Sequence, residues 1–221
     1  SLKFQYIDAF TDEPFKGNPA AVTLLEESLT DSQMQSLAME INLSETAFLT
    51  KEKHKFNIRW FTPNGEVNLC GHATLASAHY LWENQYTGSN KITFTSKSGE
   101  LHATKLKDKI QLDFPLDRLR DLSDLKSQVE GALNTSLIYV GRNDREFFAE
   151  VKSEDELTRL RPDFNLISQL DGIGIIVTAK SLDPKFDFKS RCFYPSLDIS
   201  EDPVTGLSLI HISEPTRLGM I

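Results

Sequence analysis

The run from Ala73 to Trp82, which reads ATLASAHYLW, is the feature that most constrains how this chain folds. Its side chains are apolar or small on almost every side of a helix. A helix without a polar face must be surrounded by protein rather than laid on its surface. The sequence therefore predicts a core helix near residues 72–83, with the rest of the first part of the chain packed around it.

The residues before this helix predict a strand and a turn. Phe56, Ile58 and Trp60 alternate with polar residues at the period of a strand with one buried face. The segment 63–65 (Pro-Asn-Gly) then breaks the strand. The helix starts at the segment 70–72 (Cys-Gly-His), whose backbone N–H groups are available to an anion. We interpret this first turn as a candidate site for a substrate carboxylate.

Charge and composition narrow the class of partner. The chain of 221 residues carries a formal net charge of −8 and has no cluster of Lys or Arg, whereas nucleic acids and anionic membranes require a basic footprint. We therefore expect a small molecule as partner, with no nucleic acid and no membrane.

Two cysteines, Cys70 and Cys192, are too few for a disulfide framework. Because no apolar run is long enough to span a bilayer, the expected location is cytoplasmic.

Capping residues and short apolar runs predict the other elements. Thr30 with Gln33 and Ser153 with Glu156 each mark the start of a helix. Three short strands between residues 91 and 114 form a meander, which we expect to be antiparallel because its connecting turns are tight. The charged residues that follow Pro115 look like a boundary.

Glu45 is an acidic residue within the apolar run 43–49. A charged carboxylate is costly to bury, so this side chain either points to water or is kept with a raised pKa. A raised pKa is the condition that makes a Glu useful as a general acid or base near neutrality. From these residues alone the solvated interpretation is the simpler one, and the catalytic interpretation stays open.

Cys70 and His72 suggest either a metal pair or a thiol nucleophile with its base. Residues this close in sequence rarely converge on one ion, and neither a second cluster nor the spacing of the other histidines supplies further ligands. We therefore expect no metal, and His72 has either a structural or a catalytic role. Glu201 and Asp202 have an ordinary interpretation as helix-capping residues, and Asn18 as a turn residue.

Five motifs are more informative together than any one of them alone. They are DAF (8–10) with GNPAAV (17–22), NLSETAF (42–48), RWFTP (59–63), CGHATLA (70–76) and EDPVTG (201–206). In this order and spacing, the chain up to Gly206 resembles the phenazine-biosynthesis isomerase (PhzF-like) family, in particular its animal branch of phenazine-biosynthesis-like-domain proteins.

The resemblance implies a diaminopimelate-epimerase-like α+β fold. Two pseudo-symmetric, mostly antiparallel β-barrel halves each surround a central helix, and the active site lies in the cleft between them. We assign residues 1–116 to the first half, which has its core helix near 72–83, and residues 117–221 to the second. A homodimer is the candidate assembly.

The resemblance also implies the site. Glu45 matches the acid/base catalyst, and His72 and Asp202 face it from the two halves and assist proton movement. Related epimerases use two cysteines, but here only Cys70 is near such a position. The implied substrate-binding residues are Asn18, Gly71, Thr205 and Gly206.

These groups are sufficient for isomerisation or epimerisation of a small carboxylated metabolite, with no metal and no organic cofactor. A carboxylate with a raised pKa takes a proton from a carbon next to an activating group and returns it elsewhere. General acid–base catalysis of this kind contributes about 10² to 10⁴ in rate.

After Gly206 the chain departs from the family pattern. Leu207 stands where the family has a serine expected to hold substrate, and Pro215 interrupts any short helix. We therefore expect a truncated second half with an atypical tail over 207–221 and looser packing than the first half. The alternative function is a catalytically inactive binding or regulatory protein that retains the fold.

Overall fold

The structure is a computed structural model that describes residues 2–11, 13, 15–107, 109–114, 119–197 and 199–202. These residues form two compact units, one ending at Phe114 and the other starting at Leu119. Thr205, Gly206 and the tail from Leu207 lie outside the described residues. Among the described residues, no helix is both long and apolar enough to cross a bilayer.

The first unit is a curled, mixed sheet of eight strands with two helices. Its elements are β1 (Gln5–Ala9), β2 (Asn18–Leu25), α1 (Asp31–Ile41), β3 (Glu45–Glu52), β4 (Lys55–Thr62), β5 (Gly65–Val67), α2 (Gly71–Glu83), β6 (Lys91–Ser96), β7 (Gly99–Lys105) and β8 (Ile110–Asp113). The strand order is β1-β2-β3-β4-β6-β7-β8, and β5 pairs with β4. The pairs β2/β3 and β4/β6 are parallel, so each needs a crossover, which α1 and α2 provide.

Helix α2 is the core helix that the sequence predicts. It is buried along almost its whole length and packs against β2, β3, β4, β6 and β7 in one apolar cluster. Leu81 and Trp60, at 0% and 1% exposed, both belong to this cluster. The hydroxyl groups of Thr74 and Ser77 donate to backbone carbonyl groups one turn earlier, so the helix buries its few polar side chains without loss of hydrogen bonds.

Helix α1 covers the other face of the same sheet. Met34 and Ala38 pack there with Phe48 and Phe61. The predicted capping box is confirmed, because the Thr30 side chain accepts from the Gln33 backbone N–H and the Gln33 side chain accepts from that of Thr30. The helix ends in a left-handed residue, Asn42 (φ 54°), and the chain then turns directly into β3.

The second unit is a six-stranded sheet with short helices. Its elements are β9 (Arg120–Asp121), a 3-10 turn (Ser123–Leu125), α3 (Lys126–Leu133), β10 (Tyr139–Arg142), β11 (Glu146–Glu150), α4 (Glu154–Arg159), α5 (Phe164–Ser168), β12 (Gly174–Lys180), β13 (Phe188–Tyr194), a 3-10 turn (Pro195–Leu197) and β14 (Ile199–Asp202). The order is β14-β13-β12-β11-β10-β9, with β11/β12 parallel and the other pairs antiparallel. Ser153 caps α4 by accepting from the Glu156 N–H, as its sequence predicts.

The second sheet has two apolar faces. Helices α3, α4 and α5 contribute Val129, Leu157 and Ile167 to a fully buried core on one face. The other face carries a smaller cluster that includes Ile176 and Tyr194. The helix-covered face is therefore well packed, and the expectation of a looser second half, which concerned the face of the missing central helix, stays a prediction.

The two units share an arginine–glutamate arrangement. In the first, Nε and one Nη of Arg59 each lie 2.7 Å from the carboxylate oxygens of Glu66. In the second, Arg191 makes the same two-pronged contact with Glu201, at 2.7 and 2.8 Å. Each arginine lies in the strand before a short return strand that carries its glutamate. The helix-cap interpretation of Glu201 is wrong, because Glu201 lies within a strand and pairs with Arg191, whereas Asp202 ends that strand and the residues after it lie outside the described ones.

Each arginine also lies over the ring of a phenylalanine two residues further along its own strand. The guanidinium carbon of Arg59 lies 5.1 Å from the centre of the Phe61 ring, and that of Arg191 lies 5.0 Å from the centre of the Phe193 ring. The motifs RWFTP (59–63) and RCFYP each place Arg, Phe and Pro at the same spacing. This internal repeat is visible in the sequence, and the structure shows that it has a physical basis in stacked, paired arginines.

Candidate active site

Glu45 is the first residue of β3, and its side chain is 20% exposed. Three residues connect the end of α1 to this strand, which lies beside the parallel strand β2, where Ala20 is the register partner of Glu45. The Oε2 atom of Glu45 lies 3.4 Å from Nε2 of His72. The solvated interpretation of Glu45 is therefore wrong, since the carboxylate is mostly enclosed and contacts an imidazole.

His72 is the second residue of α2 and is 5% exposed. Its Nδ1 lies 3.4 Å from Sγ of Cys70, and its Nε2 lies 3.3 Å from Oγ of Ser44 in addition to the Glu45 contact. The ring is thus held between the start of a helix and the start of a strand, with a polar group beside each nitrogen.

Cys70 precedes α2 and is buried. Burial raises the pKa of its thiol well above the usual range, and the charge of Glu45 raises that pKa further. A thiol kept in its neutral form is a poor nucleophile. The environment of Cys70 thus suits a buried polar contact better than thiol catalysis.

The structure corrects the sequence argument about metal ligands in one respect. Glu45, Cys70 and His72 do come together, with one ligand atom from each within 4.8 Å of the others. The thiol and the carboxylate, however, contact different nitrogens of the imidazole ring. Three potential ligand atoms therefore lie close together, and the expected absence of a metal stays a prediction.

Ser44 connects strand β2 to His72. Sequence reasoning did not identify Ser44 as a site residue. Its Oγ lies 3.3 Å from His72 Nε2, 3.4 Å from Oδ1 of Asn18 and 3.5 Å from the carbonyl oxygen of Pro19. Strand alternation separates neighbouring residues such as Ser44 and Glu45 onto opposite faces. Ser44 lies just before β3, where that rule does not apply, so only the folded chain brings both side chains to His72.

Gly71 is the first residue of α2 and is buried next to His72. The first-turn N–H groups of an α-helix have no carbonyl partner within the helix, and the helix dipole makes this end positive. The predicted carboxylate site and the imidazole that contacts Glu45 therefore belong to the same turn of chain.

The other predicted site residues lie in the second half of the sequence. Asp202 is the last residue of β14, is half-buried and has Cys192 as its register partner. Thr205 and Gly206 are outside the described residues. The roles assigned to these three residues stay predictions.

Comparison with known proteins identifies relatives over nearly the whole chain. The family model described as phenazine biosynthesis-like protein (PhzC-PhzF) matches residues 7–211. An uncharacterized isomerase of Halalkalibacterium halodurans is 49% identical over 201 residues, covering 90% of this chain and 76% of that protein. The human phenazine biosynthesis-like domain-containing protein is 38% identical over 224 residues, covering 90% and 77%.

Solved structures confirm the fold. A crystal structure of a PhzF-family phenazine biosynthesis protein from Enterococcus faecalis superposes with a TM-score of 0.81 at 42% identity, covering 96% of this chain and 80% of that one. A probable proline racemase of Agrobacterium radiobacter shares the fold alone, with a TM-score of 0.53 at 9% identity over 91% of this chain and 72% of that one. The predicted epimerase-like α+β fold and the family resemblance are thus both confirmed.

Proposed function

This chain belongs to the PhzC-PhzF family of phenazine biosynthesis-like proteins, and on that premise we propose that it is an isomerase or epimerase that moves a proton on a small carboxylated metabolite. Relatives named as isomerases, at 49% and 42% identity, support this class of reaction. They also give no support to the alternative of an inactive binding or regulatory protein.

The observation that carries the proposal is the contact between Glu45 and His72. An enclosed carboxylate within 3.4 Å of an imidazole nitrogen forms an acid/base pair on rigid elements, a strand and a core helix. In the proposed reaction Glu45 removes a proton from the carbon next to an activating group. The same carboxyl group then returns the proton to another carbon, or to the other face of the same one.

The start of α2 is the proposed carboxylate-binding element. An anion at Gly71 would meet the N–H groups of the first helical turn and the positive end of the helix dipole. Asn18 is linked to the same place through Ser44. The substrate would then be held by its carboxylate while its reacting carbon faces Glu45.

The remaining assignments rest on the family motif. We assign Asp202 a role in proton movement, and Thr205 and Gly206 a role in substrate binding. The proposal needs no metal and no organic cofactor, because the carboxylate and the imidazole supply the acid/base groups. A homodimer is the assembly to test first.

Deuterium exchange tests the proposal. The full chain is incubated in D₂O with a panel of small carboxylic acids that carry an activated C–H group, and deuterium uptake is followed by mass spectrometry. Wild-type protein should exchange at least one compound, and Glu45→Gln should slow that exchange by about 10²-fold or more. The matched control is Glu52→Gln at the other end of β3, which should exchange as wild type. Equal exchange by wild type and Glu45→Gln, or exchange of no compound, would contradict the proposal.

A further inference from the structure

The two nitrogens of the His72 ring contact chemically different groups. We propose that Cys70 is a positioning residue for His72, in which the thiol S–H donates to Nδ1 and thereby keeps the hydrogen of the neutral ring on Nε2. Nε2 is the nitrogen beside Glu45 and Ser44. The inference rests on the proposed function only for its catalytic consequence.

The two groups beside Nε2 can both accept a hydrogen bond from that nitrogen. An ionised carboxylate accepts hydrogen bonds and donates none, and Glu45 Oε2 lies 3.4 Å away. The Ser44 hydroxyl has acceptors of its own at Asn18 Oδ1 and the Pro19 carbonyl, at 3.4 and 3.5 Å. Its hydrogen can be donated there, which leaves its oxygen able to accept from Nε2 at 3.3 Å. Both neighbours are therefore satisfied when Nε2 carries the hydrogen.

Nδ1 is then an acceptor, and its hydrogen-bond partner must be a donor. In a neutral imidazole one nitrogen donates and the other accepts, so a hydrogen on Nε2 leaves a lone pair on Nδ1. The Sγ of Cys70 lies 3.4 Å from Nδ1, within reach of an S–H donor. The thiol is suited to this role because burial and the nearby carboxylate keep it protonated.

The inference concerns the neutral ring, in which the two nitrogens differ. His72 is the second residue of α2, where the positive end of the helix opposes a positive charge on the ring, whereas the Glu45 carboxylate favours one. The hydrogen bonds then run in one direction, from the Cys70 thiol to Nδ1 and from Nε2 to Glu45. In the other tautomer, Nε2 would direct a lone pair at the carboxylate, and Nδ1–H would face the Cys70 sulfur, which is a weak acceptor.

The catalytic consequence concerns the orientation of Glu45. A hydrogen-bond donor at Nε2 stabilises the charged Glu45 carboxylate that takes the substrate proton. In the other tautomer, the lone pair on Nε2 would repel that carboxylate. Loss of the Cys70 donor should therefore lower kcat for exchange and leave KM nearly unchanged. Cys70→Ser, which restores a donor of similar length, should recover the rate.

Nitrogen NMR of the full chain tests the tautomer directly, without any substrate. ¹⁵N-labelled protein is recorded near neutral pH, and the ring of His72 is identified as the signal lost in His72→Gln. Wild type and Cys70→Ser should both show a protonated Nε2 and an unprotonated Nδ1. Cys70→Ala should shift both nitrogens toward the averaged positions of mixed tautomers. Cys192→Ala removes the other buried thiol and should leave the His72 signals in place.

Several results would overturn the inference. These are a protonated Nδ1 in wild type, a Cys70→Ala protein that folds and keeps the wild-type tautomer, and a Cys70→Ser protein with the opposite one. If Cys70→Ala does not fold, wild type and Cys70→Ser decide the matter. Because no turnover is needed, failure of the deuterium test would leave this result unaffected.

Discussion

His72 Nε2 and Glu45 Oε2 lie 3.4 Å apart although the two residues are 27 positions apart in sequence. The imidazole comes from the first turn of a core helix, and the carboxylate comes from the first residue of a central strand. Because both elements are fixed by burial, the pair is held in place before any substrate binds. Such preorganisation is what proton transfer between a side chain and carbon requires.

His72→Ala should slow deuterium exchange into a turned-over substrate by about 10²-fold, since the imidazole assists the Glu45 carboxylate. The control is His79→Ala, which removes an exposed histidine on the same helix. Exchange rates and circular dichroism of both variants give the comparison. An unchanged rate in folded His72→Ala would remove His72 from the proposed mechanism.

Acid unfolding should be sensitive to Glu66. Its hydrogen bond with Arg59 holds the pKa of the Glu66 carboxyl below its usual range. The unfolded state therefore binds the proton first, so the stabilisation is fully present above the unfolded-state pKa of about 4.3 and is lost as the pH falls through the lower folded-state value. Melting temperatures between neutral and acidic pH should fall less steeply in this range for Glu66→Gln than for wild type. Parallel curves would mean that the pair does not stabilise the fold.

Cys70 should resist alkylation in the folded protein. Its thiol is buried, and its raised pKa leaves little of the reactive thiolate near neutral pH. Iodoacetamide labelling followed by peptide mass spectrometry should show slow modification in buffer and fast modification in urea. Rapid labelling of Cys70 under native conditions would contradict the buried environment described for it.

Leu81→Ala should destabilise the first unit by about 2–5 kcal/mol, because it leaves a cavity beside a fully buried helix. The matched control is Leu182→Ala, where the leucine is 79% exposed and little stability should be lost. Urea unfolding of both variants measures the difference. Similar midpoints for the two variants would mean that α2 is less tightly enclosed than its burial indicates.

Local patterns were enough to predict much of the fold. The apolar run 73–82 required a core helix, and the capping box at Thr30 located the start of α1, because such signals depend on residues a few positions apart. The repeated Arg-x-Phe-x-Pro motif is equally local, whereas the pairing of its arginines is not, because the glutamate partners lie on separate return strands.

The sequence by itself determined which elements form, since helix and strand periodicity and capping act over short distances. It also determined the family, through the order of five motifs. Only the tertiary structure decided which side chains meet. Glu45 and His72, or Ser44 and Asn18, contact each other because β2, β3 and α2 pack together, and a contact between side chains far apart in sequence depends on packing that no local pattern encodes.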